Sequence, residues 1–144
     1  MRAVELYDYA IVRVVPRVER EEFINAGAIV SCQRTGFLQA VVELHEDRLL
    51  ALDPWVDVPL VRRHLDVIAT ICAGSPQGGP IAALPHRARF HWLTARRSSI
   101  IQTSAVHTGR CDEPSALLEH LMRCMVRPLP RRSPPAAGDG GCNT

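Results

Sequence analysis

The chain contains no lysine; all 17 of its basic residues are arginine. Two readings fit that bias. A GC-rich coding sequence favours Arg together with Ala, Pro and Gly, and selection for bidentate anion recognition favours the guanidinium over the ammonium group. The bias runs along the whole chain, so it points to no particular position. An excess of either sign of charge is also missing. A net charge of +2 gives no specific signal for nucleic acid or a membrane surface, which attract strongly basic proteins. The five cysteines form no C-x-x-C pair, and no Cys/His spacing matches a structural zinc site. No metal is expected, and the thiols read as reduced and mostly buried. The first residues, MRAVELYDYA, lack the apolar stretch of a signal peptide, and no run reaches the length of a membrane span. The expectation is a cytoplasmic protein. No Gly-rich phosphate loop with its Lys and no G-x-S-x-G elbow is present, so no nucleotide or other cofactor is expected. Ser98 or Ser99, His107 and Asp112 make no triad without such an elbow.

What is present is a chain of 144 residues with 47% hydrophobic content, enough for one domain with a real core. Leu6 to Val15 is rich in Tyr, Ile and Val and alternates poorly, as a strand covered on both faces does. Tyr7, Tyr9, Ile11 and Arg13 share one of its faces, with Asp8, Ala10, Val12 and Val14 on the other. Val18 to Ile24 reads as a short helix or turn. Gly27 to Gln33 and Phe37 to Leu44 form a hairpin about the turn at Arg34-Thr35-Gly36, and His45 to Leu52 makes one or two helical turns. Asp57 caps a helix with Pro59 in its first turn, a stripe of Val61, Leu65, Ile68 and Cys72, and a stop at Gly74. SPQGGP, residues 75 to 80, reads as a surface loop. Arg87 to Thr94 alternates as a strand, with Phe90 and Trp92 in the core, and Ser99 to Val106 is another strand. Asp112 caps a final helix to about Val126 with Leu117, Leu118, Leu121 and Met125 inward. The expected class is α+β: a mixed or antiparallel sheet of about five strands with two main helices packed on one face. The domain spans 1–127, followed by a disordered Pro/Gly/Arg-rich tail, 128–144.

Chemistry concentrates in two blocks, Tyr7 to Gly27 and Arg89 to Gly109, which read as two walls of one polar site. Arg13 lies on a buried strand, so it either pairs with Asp8, Glu19 or Glu22 or lines an anion pocket. Arg17, Glu19, Arg20 and Glu22 are either a solvated face with local pairs or part of that pocket. Asn25 precedes Ala26-Gly27 and suits a turn, or offers its amide to a ligand. Arg96-Arg97-Ser98-Ser99 offers guanidinium forks and hydroxyls suited to a phosphate, or is exposed turn chemistry. Glu22 and His107 are the candidate acid/base groups, provided that a neighbour orients the imidazole.

The residues of these blocks resemble the bacterial domain-of-unknown-function family 3037. The resemblance is carried by Tyr7-Asp8-Tyr9, Arg13 to Arg17, Glu19-Arg20, Glu22-Phe23, Asn25 and Gly27. It continues in Arg89 to Ala95, Arg97-Ser98, Gln102, His107-Thr108-Gly109, Asp112 and Pro114. Arg96 departs from the family pattern, which has Pro there, leaving that loop more basic and less rigid. The resemblance assigns no activity. Its members are often encoded beside a protein similar to HipA-type kinases, which implies such a kinase as a partner or a shared pathway. Two functions from different classes follow as expectations. The first is an accessory protein binding a HipA-like kinase through its Arg/Glu cluster. The second is an enzyme on a phosphorylated or carboxylated small molecule, with Arg13, Arg17 and Arg97 as anion clamp and Glu22 or His107 as acid/base. Glu19, Asn25, Ser98 and Gln102 complete the candidate binding set.

Overall fold

The computed structural model describes residues 4–130; the expected tail lies outside them from residue 131 onward. The described residues form an antiparallel five-stranded sheet. Its strands are β1 (Glu5–Val14), β2 (Ile24–Cys32), β3 (Phe37–Val42), β4 (Ile101–Thr103) and β5 (His107–Cys111). β1 is central: β2 pairs along one side of it, and β3 pairs with β2 beyond. Along its other side β4 pairs with Val12 to Val14 and β5 with Glu5 to Tyr9. β4 and β5 thus share one edge of β1, where a single strand from Ser99 to Val106 was expected. Between them one extra residue opposes β1, since Thr103 faces Val12 while His107 faces Tyr9. Ser104 closes this bulge. Its backbone N–H donates to the Ile11 carbonyl at 2.8 Å, and its buried Oγ accepts the Ile11 N–H at 2.9 Å. No ladder group of Ile11 is left unpaired where the strand breaks.

Helices cover the sheet on both faces, which corrects the one-face arrangement. Val12, Val14, Ile24 and Ile29 pack with Leu49 of α1 (Glu46–Leu52), with Val61, Leu65 and Ile68 of α2 (Val58–Ala73), and with Phe90 and Leu93 of α4 (His86–Thr94). On the opposite face Ile11, Ala28 and Val30 pack with Leu118 and Leu121 of α5 (Pro114–Leu121) and with Met122 and Val126 of the π-turn that continues it. Consecutive buried residues such as Ala10, Ile11 and Val12 follow from this double cover, which strand β1 announces by its lack of alternation. In β2, Ile24 and Ala26 face one layer while Ala28 and Val30 face the other. Ala26 is the extra residue of a second bulge, because Val12 pairs with Gly27 and Arg13 with Asn25. Its carbonyl accepts the Glu43 N–H at 2.8 Å.

The α2 signals act as expected: the Asp57 carboxylate accepts the Leu60 N–H at 3.0 Å, Pro59 sits in the first turn, and Gly74 ends the helix with φ 69°. The segment 75–80 is not an irregular loop; Pro76–Gly78 is a 3-10 turn leading into the short helix α3 (Gly79–Ala82). Residues 87 to 94 are helical, not a strand. RFHWL satisfies both periods, and a short apolar run does not separate them. Tertiary packing decides: Phe90 and Leu93, three apart, are the buried pair, whereas Trp92 is 36% exposed. Arg89 then reaches back to the end of α2 and donates to the Ile71 and Cys72 carbonyls at 3.1 and 2.7 Å, satisfying acceptors a helix leaves open. At α5 the N-cap residue is Glu113, not Asp112. The π-turn shifts the stripe, so that Met122 and Val126 are buried and Met125 is exposed.

Candidate functional site

The two sequence blocks meet along the β4/β5 edge of β1, and its two ends differ in chemistry. At the N-terminal end, Tyr7-Asp8-Tyr9 and His107-Thr108-Gly109 are cross-strand partners, residue for residue. The His107 ring stacks on Tyr9 at 5.1 Å. The Thr108 hydroxyl donates to Asp8 at 2.6 Å. The Tyr7 ring lies over Gly109, where an added Cβ would come within 2.5 Å of the Tyr7 oxygen. Arg87 of α4 completes the set with a 2.7 Å ion pair to Asp8. Burial pushes the Asp8 carboxyl up, but the Thr108 hydroxyl and the Arg87 guanidinium together hold it below its ordinary value. A cavity of 670 Å³ opens here, lined by Asp8, Ser31, Arg34, Arg87, Thr108 and Arg110 among others. Its charges are largely matched, since Arg34 also lies 3.5 Å from Glu5.

Sequence reasoning missed one contact in this cavity. Ser31 Oγ and His86 Nε2 lie 2.7 Å apart. Ser31 stands opposite Asp8 on β2, but nothing local in the sequence couples it to a histidine 55 residues away. Burial, followed by the nearby Arg89 charge, lowers the His86 pKa, which favours the neutral ring. No carboxylate bonds its buried Nδ1. The pair therefore lacks the orienting group of a nucleophile–base–acid series and satisfies a buried hydroxyl.

At the C-terminal end of the same edge lies a cavity of 530 Å³. Arg13, Arg96, Arg97, Ser98, Gln102 and Thr103 line it, and among the described residues no carboxylate does. Arg13 faces Gln102 directly across the β1–β4 ladder. Neither Asp8 nor a glutamate pairs with it. Its guanidinium lies over the Phe23 ring at 4.2 Å, and its buried Nε has no hydrogen-bond partner. Arg97 lies over Trp92 at 4.0 Å and donates to the Trp92 carbonyl. Gln102 donates to the Ser99 carbonyl at 2.9 Å, which fixes the loop carrying Arg96 to Ser98. A buried guanidinium nitrogen without an acceptor costs free energy. Three guanidinium groups around one cavity also repel one another, and an anion placed between them would relieve that repulsion.

Of the candidate residues, the fold thus brings together Arg13, Arg97, Ser98 and Gln102. It takes the others elsewhere. Arg17 lies 3.5 Å from Asp53 and 3.8 Å from Glu19. Glu22 pairs with Arg20 on the surface. Asn25 donates to the Met125 carbonyl at 2.8 Å, tying β2 to the π-turn. His107 is held against Tyr9 and does not line the basic cavity. Among the described residues, no group of three or more His, Cys, Asp and Glu could hold a metal ion, and no helix is long and apolar enough to cross a membrane.

A family model described as protein of unknown function (DUF3037) matches residues 9–126. The chain belongs to this family. The match takes in the arginine end of the β1 edge and, at the other end, Tyr9, Arg87 and His107 to Gly109; Tyr7 and Asp8 lie just before it. No curated protein and no solved structure matches the chain.

Proposed function

We propose that this member of the family is a binding module for an anionic ligand, a phosphate or carboxylate group, held between Arg13, Arg96 and Arg97. One observation carries the reading: three arginines line a cavity that no carboxylate among the described residues lines. Gln102 and Ser98 add neutral donors beside them, as bidentate anion recognition uses. The enzymatic version needs an acid/base group at the cavity, and Glu22 and His107 are engaged away from it. Binding is therefore the reading the geometry favours. The accessory role toward a HipA-like kinase is proposed with it on the family resemblance; co-purification of the two proteins, with and without nucleotide, tests that part.

Calorimetric titration of the full chain with inorganic phosphate, pyrophosphate and citrate tests the binding. We expect saturable binding that weakens as salt rises from about 50 to 200 mM, because screening acts on exposed charge. Arg97→Gln should lose it while keeping the fold, since Arg97 is a surface residue whose one polar contact among the described residues is the Trp92 carbonyl. Absence of binding by every anion, or equal binding by the variant, overturns the reading.

A further inference from the structure

The basic cavity does not end at Arg97. A second cavity of 260 Å³ adjoins it, sharing Ala95, Arg97, Gln102 and Thr103. Its other walls are largely apolar: Val67 and Ile68 from α2, Trp92 and Leu93 from α4, and Ile100 and Ile101 leading into β4. Val67 is 47% exposed and Trp92 36% exposed, so apolar surface stands open beside a cationic site. Arg97 joins the two cavities, with its guanidinium over the Trp92 ring. An anion held by Arg97 therefore has this apolar wall within reach of the rest of its molecule.

Building on the anion reading, we propose that the ligand is an amphipathic anion: a phosphate or carboxylate head among the arginines, joined to a compact apolar group lying in the groove against Trp92 and Val67. The volume limits that group. At about 30 Å³ for each water-sized group, the groove takes on the order of eight such groups, room for an aryl ring or a short alkyl chain. Covering the groove removes apolar surface from water, which the head alone does not do. Small-molecule sites commonly combine an apolar lining with a few placed polar groups.

The test is titration of the full chain with three probes: inorganic phosphate, phenyl phosphate and hexyl phosphate. Trp55→Phe leaves Trp92 as the sole tryptophan, so its fluorescence reports contact with the groove independently of heat. Phenyl or hexyl phosphate, or both, should bind at least tenfold more tightly than phosphate and shift the Trp92 emission; which one does so distinguishes a ring from a chain. Val67→Gln, at an exposed helical position, should abolish that advantage while leaving phosphate affinity and the melting temperature unchanged. If phosphate binds and neither ester binds more tightly, the apolar half of the site is wrong and the anion reading stands. If Val67→Gln leaves the advantage intact, the groove is not where the apolar group lies. If no probe binds, the amphipathic reading falls, and the anion reading falls with it if citrate and pyrophosphate fail to bind as well.

Discussion

The two ends of strand β1 hold similar inventories of polar residues and use them differently. At the N-terminal end the motif side chains are engaged within the chain: Tyr9 with His107 and Asp8 with Thr108 across the ladder, Asp8 also with Arg87 of α4, and Tyr7 over Gly109. At the C-terminal end Arg13 faces Gln102, whose amide is turned to the Ser99 carbonyl. Arg96 has no ion pair among the described residues, and the nearest cover for Arg13 is an aromatic ring. Charge that answers charge within the chain holds the fold together. Charge left unanswered around a cavity is free to meet something from outside. A motif rich in polar residues is thus no guide by itself to a ligand site; whether its partners lie within the chain decides which it is.

The largest effect that would sharpen the contrast belongs at the paired end. Gly109→Val must push the Tyr7 ring off the strand, because a Cβ there lies within 2.7 Å of two ring-group atoms. A loss of about 1–3 kcal/mol is expected, as for overpacking, and chemical denaturation would read it. Asp8→Ala removes the acceptor of both Thr108 and Arg87. It should cost about 1–2 kcal/mol, tempered by the solvent exposure of Arg87. Arg13→Gln at the unpaired end should change stability by less than ~1 kcal/mol, since it removes a cation–π contact and an unsatisfied nitrogen together. The same variant should weaken anion binding more than tenfold by calorimetry. An equally large stability loss at both ends would break the comparison.

The smallest effect is one of pH. The Asp8 carboxyl titrates below its ordinary 3.8 in the folded chain, so folding favours its charged form. Its contribution is present in full above that ordinary value and is lost as pH falls through the lower folded one. Acid unfolding of Asp8→Asn should accordingly show a shallower limb below about pH 4 than the parent chain. An unchanged limb would mean that Arg87 and Thr108 do not hold the carboxylate.

Local chemistry made much of the fold legible. The Asp57 cap, the stripe of α2, the Gly74 stop and the poor alternation of β1 each act through neighbours within a turn or along a strand. What stayed hidden depends on distant partners. Residues 87 to 94 look like a strand until α2 and the sheet choose the i,i+3 pair Phe90 and Leu93. The placement of α5 on the second face follows from the connection after β5, which leaves no local mark. For the site, Arg96-Arg97-Ser98 could be read as anion chemistry from its donors alone. That Arg13 joins it through Gln102, while Arg17, Glu19, Glu22, Asn25 and His107 do not, depends on the β1–β4 register and its bulges. Tyr7-Asp8-Tyr9 and His107-Thr108-Gly109 stood out as motifs, but their mutual pairing spans about a hundred residues.

A crossed experiment tests the central contrast most directly: denaturation and phosphate titration of Arg87→Gln and Arg13→Gln side by side. Arg87→Gln should lose stability and bind phosphate as the parent chain does; Arg13→Gln should keep its stability and lose the binding. Binding lost in Arg87→Gln, or retained in Arg13→Gln, would contradict the division of the β1 edge into a structural end and a ligand end.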